Sequence, residues 1–156
     1  MKKYSIGLLA VVLLLVPSLS RAHCEIPCGI YDDSTRYVIM LEDIATIEKS
    51  MNMIIQLSAA DTINYNQLVR WVTNKEDHAN KFMDAVSQYF LTQRLVPTAA
   101  GGAGYDSYIK MLAQYHEMLV LAMKCKQTTD LGHVTKLRDL INQSQKLYFE
   151  TKHHKH

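Results

Sequence analysis

The chain has no stretch in which apolar and polar residues alternate long enough to build a strand, which removes sheet-based folds from consideration. It also lacks internal repeats, and its one low-complexity segment is the His-rich end, Lys152-His153-His154-Lys155-His156. Prolines number three and glycines six, and much of this punctuation falls in one loop, Pro97 with Gly101-Gly102-Ala103-Gly104. That loop runs on into Tyr105 and Asp106, so it is a linker and not a phosphate-binding loop. No serine-nucleophile motif is present, and His116-Glu117 has Val120 where a zinc-protease helix needs its second histidine.

Excess positive charge is missing too. The 17 basic residues face 15 acidic ones, and Lys2, Lys3 and Arg21 all lie in the first 22 residues. The remainder is close to neutral, which argues against a nucleic-acid partner. Beyond residue 22 no segment is apolar enough to cross a membrane.

The first 22 residues have the three parts of a secretory signal: Lys2 and Lys3, an apolar run from Ile6 to Val16, and small residues at Ser20 and Ala22. The run falls well short of the roughly 20 residues that span a bilayer as a helix. Arg21 and His23 stand where lipid attachment at Cys24 would require small neighbours. The expectation is an exported protein, periplasmic or extracellular, cut after Ala22 by a leader peptidase and free of the membrane afterwards. What remains is long enough for one compact domain.

The cut would make His23 the first residue of a terminus reading His23-Cys24-Glu25-Ile26-Pro27-Cys28-Gly29-Ile30-Tyr31. A free α-amine, an imidazole and two thiols then lie within six residues. One five-membered chelate ring runs from the amine to the Cys24 backbone nitrogen, and another from that nitrogen to the Cys24 sulfur. Cys28 supplies a second sulfur. Two nitrogens and two thiolates suit a square-planar ion, nickel(II) or copper(II), whereas zinc prefers a tetrahedron. Thiolates also lower a nickel(III)/nickel(II) potential, and the His23 imidazole would be a fifth, axial ligand. Pro27 restricts the loop and Gly29 permits close approach. A small Cys24–Cys28 disulfide is the competing use of the two sulfurs in an oxidising compartment. The third cysteine, Cys125, lies far off in an apolar stretch and reads as a small buried hydrophobe.

Four helices are expected beyond the hook. Asp32-Asp33-Ser34 looks like a turn into a helix cap, and Tyr37, Met40, Ile44, Ile47, Met51 and Ile54 then recur at steps of three and four. Ser58 to Thr62 breaks that pattern. A second helix begins near Asn64 with Leu68, Trp71, Val72, Phe82, Val86, Tyr89 and Phe90 inward, and its polar stretch Thr73 to His78 faces solvent or a partner. Asp106 caps a third helix with Tyr108, Met111, Leu112, Tyr115, Leu119 and Ala122 inward. Thr128-Thr129-Asp130 separates it from a fourth, carrying Val134, Leu137, Leu140, Ile141, Leu147 and Tyr148. Short connections favour antiparallel neighbours, hence an all-α, antiparallel up-down four-helix bundle over residues 32–151. The hook occupies residues 23–31 and a frayed tail residues 152–156.

The run His23 to Tyr31 resembles the active-site hook of nickel superoxide dismutases, His-Cys-x-x-Pro-Cys-Gly-x-Tyr. His23, Cys24, Pro27, Cys28, Gly29 and Tyr31 fill every fixed position. The likeness extends to Asn74-Lys75-Glu76-Asp77-His78-Ala79 and Gln88-Tyr89-Phe90. The resemblance implies a four-helix bundle assembled as a homohexamer, with nickel as cofactor. It makes the His23 amine and imidazole, the Cys24 amide nitrogen and thiolate, and the Cys28 thiolate the metal ligands. Tyr31 would stand over the open face of the metal where superoxide docks, and Tyr89 matches a second pocket tyrosine. Two departures accompany it. Glu25 replaces a frequent Asp. Met40 and His78 fall near positions where some relatives carry a Glu and an Arg that orient the axial imidazole; Glu42 and Glu76 are the nearby carboxylates. The implied reaction converts two superoxide ions and two protons into dioxygen and hydrogen peroxide, with nickel alternating between +2 and +3. The rival readings are an exported nickel or copper carrier without turnover, and a helical bundle with a Cys24–Cys28 disulfide.

Overall fold

The computed structural model describes residues 33–153. Those residues form four helices and no strand: α1 (Asp33–Ser58), α2 (Tyr65–Asp84), α3 (Tyr105–Gln127) and α4 (Leu131–His153), with α2 continuing as a π-helical segment over Ala85–Arg94. None of these helices is long and apolar enough to cross a membrane.

Each helix buries one stripe. On α1, Tyr37, Met40, Ile44, Ile47 and Met51 are fully buried, as the spacing of the seam requires. Phe82, Val86, Tyr89 and Phe90 meet them from α2 and its continuation, Met111, Tyr115, Met118 and Ala122 from α3, and Val134, Leu137, Ile141 and Tyr148 from α4. Each large apolar side chain removed from water contributes about 1.5–3 kcal/mol, which is what holds helices of marginal intrinsic stability together. Val72 and Leu112, expected inward, are 39% and 38% exposed. They stand at the margins of stripes that a bundle seam covers only in part.

Contacts between neighbours run in opposite order along the chain. From α1 to α2 and its continuation, Asp33 meets Arg94, Asp43 meets His78, and Ser50 meets Asn74. From α1 to α4, Asp33 meets Tyr148, Tyr37 meets Ser144, and Glu48 meets Arg138.

The helix ends follow local chemistry. Asn64 caps α2, its side chain accepting from the Gln67 backbone at 3.1 Å. The α3 cap is Gly104 at φ +83°, a left-handed conformation suited to glycine, and Asp106 lies inside the first turn. Asp130 starts α4, its carboxylate accepting from the Gly132 backbone at 2.8 Å. The fourth helix runs through Lys152 and His153, which therefore belong to the bundle and not to a frayed tail.

The interior carries polar groups in pairs. Tyr37 and Tyr115 share a hydroxyl contact of 2.9 Å, and Tyr37 reaches Ser144 at 3.2 Å. Burial pushes the pKa of both tyrosines up, so these phenols stay neutral. Lys75, in the stretch expected to face solvent or a partner, is only 5% exposed. Its ammonium donates to the Lys126 carbonyl at 2.5 Å and lies 3.5 Å from that of Thr128. A cation on the last carbonyls of α3 answers both the unpaired acceptors and the negative end of the helix dipole.

Candidate functional site at the Asp33 end of the bundle

The described chain begins two residues after Tyr31, so the segment that carries the hook joins the bundle at Asp33. His23, Cys24, Cys28 and Tyr31 lie outside the described residues, as do the leader and His154, Lys155 and His156. What the structure shows is the bundle end to which that segment attaches.

Asp33 opens α1 and is 7% exposed. Its Oδ1 accepts from the Tyr89 hydroxyl and from Arg94 Nε, the latter at 3.0 Å. Its Oδ2 accepts from the Tyr148 hydroxyl at 2.7 Å and from Lys152 Nζ. Burial alone would raise the carboxyl pKa. Hydrogen bonds from Lys152, Tyr89 and Tyr148 outweigh it and hold the pKa down at about 2. The carboxylate is thus ionised at neutral pH and tied to both the π-helical segment and α4.

The π geometry explains how Tyr89 and Arg94 reach one carboxylate. Residues five apart on an α-helix diverge by roughly 140°, but a π turn closes between i and i+5. Leu95 N donates to Phe90 O at 2.9 Å in that pattern, and Thr92 and Gln93 side chains reach back to carbonyls five residues earlier. Arg94 Nη2 accordingly lies 3.0 Å from the Tyr89 hydroxyl. Burial and the bond to Asp33 raise the Tyr89 pKa. Burial works against the Arg94 charge, yet Tyr89 and Asp33 raise its pKa.

Two guanidiniums lie over the Tyr89 ring, Arg36 at 4.8 Å and Arg94 at 4.7 Å from its centroid, and Lys152 lies 4.9 Å over Tyr148. Tyr89 is therefore both a core residue, 5% exposed, and a fixed platform at this end. A cavity of about 470 Å³ opens against Arg94 and Lys152, with Leu95, Tyr108, Met111 and Tyr148 also in its lining. A second groove, between α1 and α2 around Lys49, Arg70 and Trp71, lies away from Asp33 and holds no acidic, histidine or cysteine side chain.

Further along α1, Met40 is fully buried. His78 pairs with Asp43, Nδ1 to Oδ1 at 2.7 Å. Glu42 is exposed and Glu76 sits near Lys75 and Lys126, so neither carboxylate joins His78. Asp43 Oδ2 is buried with no partner among the described residues.

Among the described residues no group of three or more His, Cys, Asp or Glu side chains is placed to hold a metal ion. Cys125 is fully buried, with burial raising its pKa to about 11. The expected donors His23, Cys24 and Cys28 lie outside the described residues; an amine, an amide nitrogen, an imidazole and two thiolates are a donor set that would suit nickel.

Asp33, Arg36, Arg94 and Lys152 had no local signal that marked them as a cluster. The one available cue was position, since Asp33 stands two residues beyond the last fixed position of the hook.

The profile of the family described as nickel-containing superoxide dismutase matches residues 18–152. A curated relative, "Superoxide dismutase [Ni]" of Streptomyces seoulensis, is 27% identical over 135 residues, covering 84% of this chain and 88% of the relative. No solved structure matches significantly. A match across both the hook and the whole bundle decides the matter: the chain belongs to the nickel-containing superoxide dismutase family.

Proposed function

We propose that the chain is exported, cut after Ala22 by a leader peptidase, and disproportionates superoxide to dioxygen and hydrogen peroxide from the hook that begins at His23. The observation that carries this reading is the extent of the family match, which takes in His23, Cys24, Cys28 and Tyr31 together with the bundle. In it the protein is an antiparallel up-down four-helix bundle with the hook at its N-terminus.

The His23 amine and imidazole, the Cys24 amide nitrogen and thiolate, and the Cys28 thiolate are the donors that would hold nickel. Nickel bound there supplies one-electron exchange between its +2 and +3 states, the chemistry that disproportionation needs. Asp33 fixes where the hook leaves the bundle, because its four donors come from two other elements. The Tyr89 hydroxyl donates to Asp33 and accepts from Arg94, so this tyrosine would position the bundle end beside the hook. Protons would come from water, a hook thiolate or the Tyr31 region. Assembly as a homohexamer would cover the exposed apolar side chains of α3, such as Ile109, Leu112 and Met123.

The test takes mature protein starting at His23 and measures nickel per chain together with the rate of superoxide decay. Stoichiometric nickel and accelerated decay support the reading. Stoichiometric nickel without acceleration leaves a carrier, and a metal-free Cys24–Cys28 disulfide leaves a structural protein.

A further inference from the structure

The outer side of α3 is apolar where a helix facing water would be polar. Met118 and Cys125 mark its buried side, and at about 100° per residue His116 stands roughly 160–180° around the helix from them. Tyr105, Ile109, Leu112, Val120 and Met123 fall within about 40° of the line through His116. Among the described residues Ile109, Leu112, His116 and Met123 are exposed, and Tyr105 and Val120 are half-buried. From Tyr105 to Met123 the line is about 27 Å long. Both α1 and α3 pack on α2 and α4, so α3 lies diagonally across the bundle from α1. The segment from His23 to Asp32 spans at most about 36 Å when fully extended. Crossing the diagonal takes about 11 Å at the closest helix spacing, which leaves that segment too short to cover the line from end to end. The residues after His153 are fewer still.

Resting on the reading that the chain assembles with copies of itself, we propose that α3 packs antiparallel on α3 of a second copy, across a two-fold axis at His116. Such a contact uses one patch on both subunits, so the patch must complement itself. The charges on one flank do so. Asp106, Lys110, Glu117 and Lys124 are exposed and stand about 80–120° from the line, all on the same side. Along the helix their signs run minus, plus, minus, plus. A two-fold axis perpendicular to the helix sets that row against its own reversal. Asp106 then lies beside the partner's Lys124, and Lys110 toward the partner's Glu117, which sets orientation more than affinity.

The apolar line matches itself about the same axis. Ile109 meets the partner's Met123, and Leu112 meets the partner's Val120. Sliding one copy by a turn would set His116 against an apolar side chain, and a lone polar residue in an apolar seam fixes register in this way. About 27 Å of helix some 10 Å wide offers roughly 270 Å², against the ~800 Å² per partner of a stable interface. The pair therefore belongs within a larger closed assembly and not to a free-standing dimer.

The experiment weighs nickel-loaded mature protein by light scattering, with helix content followed by circular dichroism. Wild type is expected to be oligomeric, and Leu112→Glu to halve the mass with helix content unchanged. Diamide oxidation of His116→Cys should yield a disulfide joining the two substituted positions, found by peptide mapping. Asp106→Lys should weaken the assembly on the order of fivefold, and adding Lys124→Asp should restore it. Monomeric wild type overturns self-assembly and the pairing with it. Oligomeric wild type overturns the pairing alone if Leu112→Glu keeps its mass, if His116→Cys gives no such link, or if the double charge variant is no tighter than Asp106→Lys. Lost helix content in Leu112→Glu at unchanged mass would show the face covered by its own chain, which also overturns the pairing.

Discussion

The hydroxyl of Tyr148, near the end of α4, donates to Oδ2 of Asp33, the first residue of α1, at 2.7 Å. This bond joins the opening and closing turns of the bundle and shares its acceptor with Lys152.

Replacing Asp33 should therefore do more than remove a surface charge. Asp33→Asn leaves Arg94 and Lys152 without their anion, a loss on the order of 3 kcal/mol, read from urea unfolding at pH 7. The sign with pH follows from the lowered pKa of about 2. Stability supplied by this carboxylate is complete above its unfolded pKa near 4 and drains away as pH falls toward 2. Asp33→Asn should flatten that part of the acid limb; an unchanged limb would show that the clustered donors contribute nothing net.

Lys75 offers a test of interior charge. Lys75→Met keeps the length of the side chain and removes the donor from the Lys126 and Thr128 carbonyls. The expected cost is about 1–3 kcal/mol for acceptors left dry, seen as a lower thermal midpoint. A variant as stable as wild type would mean that water replaces the ammonium.

Cys125 should be chemically silent. With its thiol fully buried and its pKa at about 11, it is protonated at neutral pH and shielded from reagents. Peptide mapping after brief iodoacetamide treatment should find Cys125 unmodified in native protein and fully modified in urea. Native labelling would contradict the burial.

The N-terminus gives a sharper chemical test. A single residue left before His23 turns its amine into an amide and removes a donor, so that form should be inactive. Finding active protein with an extended terminus by intact mass would refute the amine's role.

The bundle was legible because its seams are periodic: Tyr37, Met40, Ile44, Ile47 and Met51 on α1 are all buried as their spacing demands. The family was legible because its motif is compact, His23 to Tyr31, and the family match takes in that run; the expected ligands themselves lie outside the described residues. The Asp33 cluster was not, because the donors stand 56 to 119 residues from Asp33 in the chain and no local rule links them to it. Asp33 reads locally as part of a turn, and Lys152 reads as tail. Lys75 reads locally as part of a stretch facing solvent or a partner for the same reason, since its acceptors lie at the end of another helix. The π-helical turn that aims Tyr89 and Arg94 together has no periodic signature in so short a stretch.

Asp33 has a bearing on the order in which the protein can come together. Three elements meet at its carboxylate, and the ribosome makes them in sequence: α1 first, the π-helical segment next, α4 last among the described helices. Until Tyr148 and Lys152 emerge, Oδ2 has neither of its two donors. Asp33 therefore acquires its final anchor only when synthesis has passed Lys152, which makes the opening turn of the first helix among the last places to be fixed.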